Sequence, residues 1–128
     1  MKRFTLVAVV LVVLVAAGNA YAGCMATVGL SSTPKADLAP GQAWFVQVRI
    51  LQHGMTPMSD AKPEIRIRRA NGKLLVFKAT PTAKVGTYRA RVVFPRTGRY
   101  SLSVYDGFPV KECARVHTFN AVVIHDPS

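Results

Sequence analysis

Acid is scarce in this sequence beside base. Seventeen lysines and arginines face six aspartates and glutamates, a formal net charge of +11. The six acids, Asp37, Asp60, Glu64, Asp106, Glu112 and Asp126, are scattered, and no two are spaced as an acid/base couple. Asp106 has no acidic neighbour nearer than Glu112, which leaves calcium without a ligand set. Also missing are a Gly-x-Ser-x-Gly elbow, a His-Glu-x-x-His pair and a phosphate-cradling glycine loop. Cysteine is reduced to Cys24 and Cys113, and a cysteine nucleophile is excluded if the two are paired. Catalysis is therefore not expected. No internal repeat, heptad or amphipathic helical period occurs, and no nucleic-acid motif accompanies the basic charge.

Long apolar runs are lacking too, with one exception. Residues 4–17 are apolar apart from Thr5, follow the basic Met1-Lys2-Arg3, and lead into Gly18-Asn19-Ala20-Tyr21-Ala22. That is the plan of a secretory signal peptide over residues 1–22, with small residues at −3 and −1 before Gly23. As a helix the run spans roughly 21 Å, short of the roughly 30 Å hydrocarbon core of a bilayer. An uncleaved membrane anchor is the alternative. Residues 23–128 then form one exported domain, in the periplasm, the cell envelope or secreted. Without Lys2 and Arg3, fifteen cations against six acids leave it at +9. Such a charge suits anionic headgroups or acidic wall polymers, or simply a solvated cationic surface.

Export places Cys24 and Cys113 in an oxidising compartment, where a disulfide is expected. It would restrict the unfolded chain by about 4–5 kcal/mol in the loop-entropy model. Ala22-Gly23-Cys24 also matches the last positions of a bacterial lipobox, with Tyr21 where leucine is usual. Lipidation of Cys24 would leave Cys113 an orphan thiol.

What is present is strand periodicity. Tyr88, Ala90, Val92 and Phe94 alternate with polar or exposed positions, and after the Pro95-Arg96-Thr97-Gly98 turn Tyr100, Leu102 and Val104 do the same. These two ribbons are expected to be covered from the opposite side by a strand over residues 43–52, with Trp44, Val46, Val48 and Ile50 inward. Further strands are read over residues 24–30, 63–69, 74–78 and 116–124. Residues 53–62 and 81–85 are read as connections. Asn71-Gly72 is expected to form a two-residue hairpin turn, both positions being tolerant of positive φ. Ile65 and Ile67 point inward, and the opposite parity of Phe119 and Val122 implies a bulge in the last strand. Six or seven short strands punctuated by Gly and Pro mean an all-β, immunoglobulin-like antiparallel sandwich. Tyr100 is placed at the tyrosine corner of such a fold, although Tyr88 has the same spacing from a glycine.

Pro40-Gly41, Trp44-Phe45-Val46-Gln47-Val48, Gln52-His53-Gly54, Pro81-Thr82, Gly86-Thr87-Tyr88-Arg89-Ala90, Phe94-Pro95-Arg96-Thr97-Gly98 and Val104-Tyr105-Asp106-Gly107-Phe108 together resemble the YtkA-like family of exported bacterial domains. The resemblance covers about half the chain and implies an immunoglobulin-like sandwich without known enzymatic role. The related FixH-like proteins sit in the membrane and are associated with copper handling; the cleavable leader departs from them.

Two candidate sites follow. His53, Met55 and Met58 put an imidazole and two thioethers within six residues, a donor set suited to Cu(I), or else methionines filling gaps at the sandwich rim. His117 and His125 stand roughly 27 Å apart on a continuous strand and cannot share an ion. Arg89 and Arg91 project from one strand. Pairing of residues 43–52 with it would add Gln47 and Arg49, while Arg66, Arg68 and Arg99 form a second basic strip on the other sheet. The reading is thus a non-catalytic exported module binding a protein or envelope component through sheet edges and loops. A copper carrier is the alternative.

Overall fold

The structure, a computed structural model, describes residues 24–127. The expected leader, residues 1–22, lies outside them. Nine strands follow in order: β1 (Ala26–Leu30), β2 (Ala43–Gln52), β3 (Thr56–Pro57), β4 (Glu64–Arg69), β5 (Leu75–Lys78), β6 (Thr80–Pro81), β7 (Thr87–Val93), β8 (Gly98–Tyr105) and β9 (Val116–Ile124). Seven of them are longer than two residues. One sheet runs β1-β2-β7-β6, with β3 added to β2; the other runs β5-β4-β8-β9. All pairings are antiparallel. In immunoglobulin lettering these are A-B-E-D and C′-C-F-G, the expected all-β sandwich.

Alternation explains the elements. In β2, Trp44, Val46, Val48 and Ile50 are buried while Phe45 and Gln47 are exposed. Tyr88, Ala90, Val92 and Phe94, then Tyr100, Leu102 and Val104, complete the core with Ile65 and Ile67. Fully burying one such side chain contributes about 1.5–3 kcal/mol. Phe94 packs edge-on against Tyr100 with centroids 5.0 Å apart, and Trp44 stacks on Phe94 at 6.4 Å. Trp44 Nε1 donates to Ser32 Oγ at 2.9 Å.

Three expectations are corrected. The ribbons flanking residues 95–98 do not lie in one layer: β7 pairs with β2, and β8 with β4 and β9. The Trp44 strand therefore lies beside β7 rather than over it, with Gln47 opposite Arg89. A Pro-Gly bend serves an inter-sheet crossover as well as a hairpin, because the turn itself does not set the strand's partner. Second, the bend at the end of β4 is centred one residue early. Gly72 N–H donates to the Arg69 carbonyl at 2.8 Å, and Asn71 alone of the pair takes positive φ, at 58°. Asparagine tolerates the left-handed region, while glycine suits position 72 because a Cβ there would stand a tight 3.0 Å from the Arg69 oxygen. Third, a short strand, β3, lies within the first connection and another, β6, runs into the start of the second, and both widen the first sheet. The expected bulge in β9 is present: the register shifts between Tyr100↔Val122 and Leu102↔Phe119.

Candidate functional site

One end of the sandwich gathers three connections, the B–C loop (residues 53–62), the D–E loop (82–86) and the F–G loop (106–115). Backbone and polar side chains tie them together. The Tyr88 hydroxyl donates to the Met58 carbonyl and accepts from Ala61 N–H at 3.1 Å, both buried. Burial pushes its phenol pKa above 10.0, and the Asp60 charge adds to the rise, while the hydrogen bond to the Ala61 backbone pulls it back. Gly86, at φ 80°, lets the D–E loop lie on Pro57, whose Cβ would be 2.6 Å from an added side chain. At Gly107 a Cβ would run into the Lys62 backbone, and Lys62 N–H donates to the Gly107 carbonyl at 3.0 Å.

Asp106, 1% exposed, organises the F–G loop. Its Oδ1 accepts from Phe108 N–H at 3.0 Å and Arg115 N–H at 3.2 Å, and Oδ2 meets His117 Nε2 at 2.9 Å. A lone acid in a turn-rich segment before glycine was the available signal, but its partner lies eleven residues on. The pair holds a loop shut. Cys24 and Cys113 form a disulfide with Cα atoms 4.9 Å apart, joining the start of the described chain to the same loop. Such a bond is compatible with an extracytoplasmic location. Among the described residues no helix is long and apolar enough to cross a membrane.

Tyr100 takes the corner: its hydroxyl donates to the Arg96 carbonyl at 2.9 Å and accepts from Arg96 N–H at 3.2 Å. No buried side-chain nitrogen or oxygen lacks a hydrogen-bond partner among the described residues.

The soft-metal trio is split. Met58 belongs to the hydrophobic core at 6% exposed, whereas Met55 is 82% exposed and His53 lies on the exposed turn with it. Met58 N–H donates to the Ile50 carbonyl, which seats its side chain on the inner face. Its thioether fills the core.

The arginines divide between the two outer faces. Arg89 and Arg91 are exposed on β7 beside Gln47 and Phe45 of β2, and Arg49 donates to Thr87 Oγ1 at 3.3 Å. On the opposite sheet Arg66 pairs with Glu64 at 3.1 Å and lies 4.5 Å over the Tyr105 ring. Arg68 and Arg99 are exposed. Among the described residues Arg66–Glu64 is the one ion pair made by an arginine or lysine, so the remaining guanidinium charge is not neutralised within the fold.

No family model matches this chain, and no curated protein matches it. Among solved structures it is similar to the Lin-41 filamin domain, with a TM-score of 0.49 and 14% identity over 73% of this chain and 91% of that one.

Proposed function

We propose that the chain is an exported, non-catalytic immunoglobulin-like module that binds a component of the cell envelope. The observation supporting this is a division of labour among side chains. The groups with chemical capacity, Asp106, His117, Tyr88 and both cysteines, are engaged in holding loops together. The outer faces instead carry unpaired arginines on rigid strands, which suits recognition of an anionic partner. The YtkA-like resemblance agrees with such a module and with export through residues 1–22.

The test is retention of the purified domain, residues 23–128 with its disulfide intact, on isolated bacterial envelopes at physiological ionic strength. Saturable retention that a neutral carrier protein does not displace is expected. Absence of retention on envelope membranes and on wall material would end this reading.

A further inference from the structure

We infer that Arg68, Arg69 and Arg99 form a binding site for a phosphoryl group, which rests on the envelope-binding reading above and gives it a ligand chemistry. The site lies where the β4–β5 turn meets the start of β8. A surface notch of about 380 Å³ there is lined by the three arginines together with Asn71 and Ser101, and by no carboxylate. None of the three has an ion-pair partner among the described residues.

Two of the guanidinium groups are set in place by the backbone. Arg68 Nε donates to the Gly72 carbonyl at 3.0 Å, and Arg69 Nη1 donates to the Thr97 carbonyl at 3.3 Å. Arg69 lies half-buried between Gly72 and Gly98, which have no side chain to displace it. An added Cβ at Gly98 would stand 3.1 Å from Arg69 Cδ, and one at Gly72 would stand 3.2 Å from Arg69 Cβ. The third, Arg99, is exposed on the same face as Ser101, which pairs with Arg68 across the strands. Arg68 and Arg99 project from the same outer face, and holding like charges around one notch is unfavourable until an anion enters it. Tethered arginines lose less side-chain freedom on binding, and the guanidinium fork matches two oxygens of a phosphoryl group. Three cations with only neutral hydrogen-bonding neighbours suit a tetrahedral oxyanion better than a single carboxylate. The arginines of the opposite sheet differ: Arg89 and Arg91 stand on an open strand surface, each following the pleat outward.

Free phosphate and a lipid phosphodiester share this chemistry, so the experiment has two arms. The probes are inorganic phosphate, followed by amide shifts of the folded domain against chloride at equal ionic strength, and phosphatidylglycerol/phosphatidylcholine vesicles, followed by sedimentation. The variants are R68Q/R99Q and, for equal charge loss elsewhere, R89Q/R91Q. The expected result is saturable phosphate shifts at Asn71, Gly72 and Arg99. R68Q/R99Q should weaken binding about tenfold or more, against less than about threefold for R89Q/R91Q. R68K/R99K, which keeps charge without the fork, should fall between them. Vesicle binding with the same variant order assigns a lipid phosphate, and phosphate shifts without vesicle binding assign the free anion. Equal losses in the two double variants, or shifts that chloride reproduces, would overturn the site. Envelope retention that persists in R68Q/R99Q with no phosphate shifts would sink this site and leave the binding module standing.

Discussion

Replacing Tyr88 by Phe removes a single oxygen, yet the two backbone groups it serves have nowhere else to turn. Met58 and Ala61 are each 6% exposed, so water does not step in for the hydroxyl. Leaving a buried donor or acceptor unsatisfied costs about 1–3 kcal/mol each. With a carbonyl and an N–H both stripped, Tyr88→Phe should cost about 2–4 kcal/mol. Tyr100 is the internal control. It is equally buried, at 1% exposed, and its hydroxyl also makes two bonds to backbone. Those bonds go to Arg96, an exposed residue whose backbone groups water can reach. Tyr100→Phe should therefore cost only about 1 kcal/mol. In thermal unfolding followed by circular dichroism the two losses correspond to about 10–20 °C and about 5 °C in a domain of this size. Equal melting temperatures for the two variants, or a Tyr88→Phe protein as stable as the parent, would refute the reasoning that solvent access to the partner sets the cost.

The raised Tyr88 pKa favours the neutral phenol in the folded state, so stability is intact below pH 10 and is lost as pH rises through the folded-state value. Urea unfolding at pH 9 and pH 11 should show that loss, and Tyr88→Phe should make it smaller; an undiminished loss in the variant would assign it to other groups. Reducing the Cys24–Cys113 bond, which spans 89 residues, should lower stability by about 4–5 kcal/mol in the loop-entropy model, and intact mass should rise by two hydrogens; an unchanged mass would rule the bond out. Asp106→Ala strips two backbone N–H groups and His117 of their acceptor and should cost about 2–4 kcal/mol, with Asp106→Asn roughly half that because one oxygen remains. Cu(I) under reducing conditions should leave the melting temperature unchanged, since Met58 is in the core and Met55 is not; a rise abolished by Met55→Leu, Met58→Leu would restore the soft-metal reading.

The strands were legible wherever one face is buried. Trp44, Val46, Val48 and Ile50 mark β2 to the residue, and the parity break between Phe119 and Val122 marks the bulge of β9. Sheet partnership was legible only through the fold plan: pairing of residues 43–52 with the Arg89 strand follows from the immunoglobulin arrangement and is present, whereas Pro95 and Gly98 describe a bend and say nothing of which layer the next strand joins. Direction also failed at Met58: a loop methionine reads as adaptable, and only its burial in the core of the folded chain shows which way it faces. The phosphoryl notch was half visible. Arg68 and Arg99 stood out as outward positions, but Arg69 has core parity in β4, and its place in the lining of the notch shows only in the folded chain.

The cross-link between residues 24 and 113 also determines how the domain carries tension. A pull between Cys24 and the C-terminal end passes through sulfur to Cys113 and on into β9, so the backbone in between carries no covalent load. Only the final strand would be loaded, peeled from β8, while the arginine-bearing turn of β4 is spared the load that a reduced chain would also take at β1.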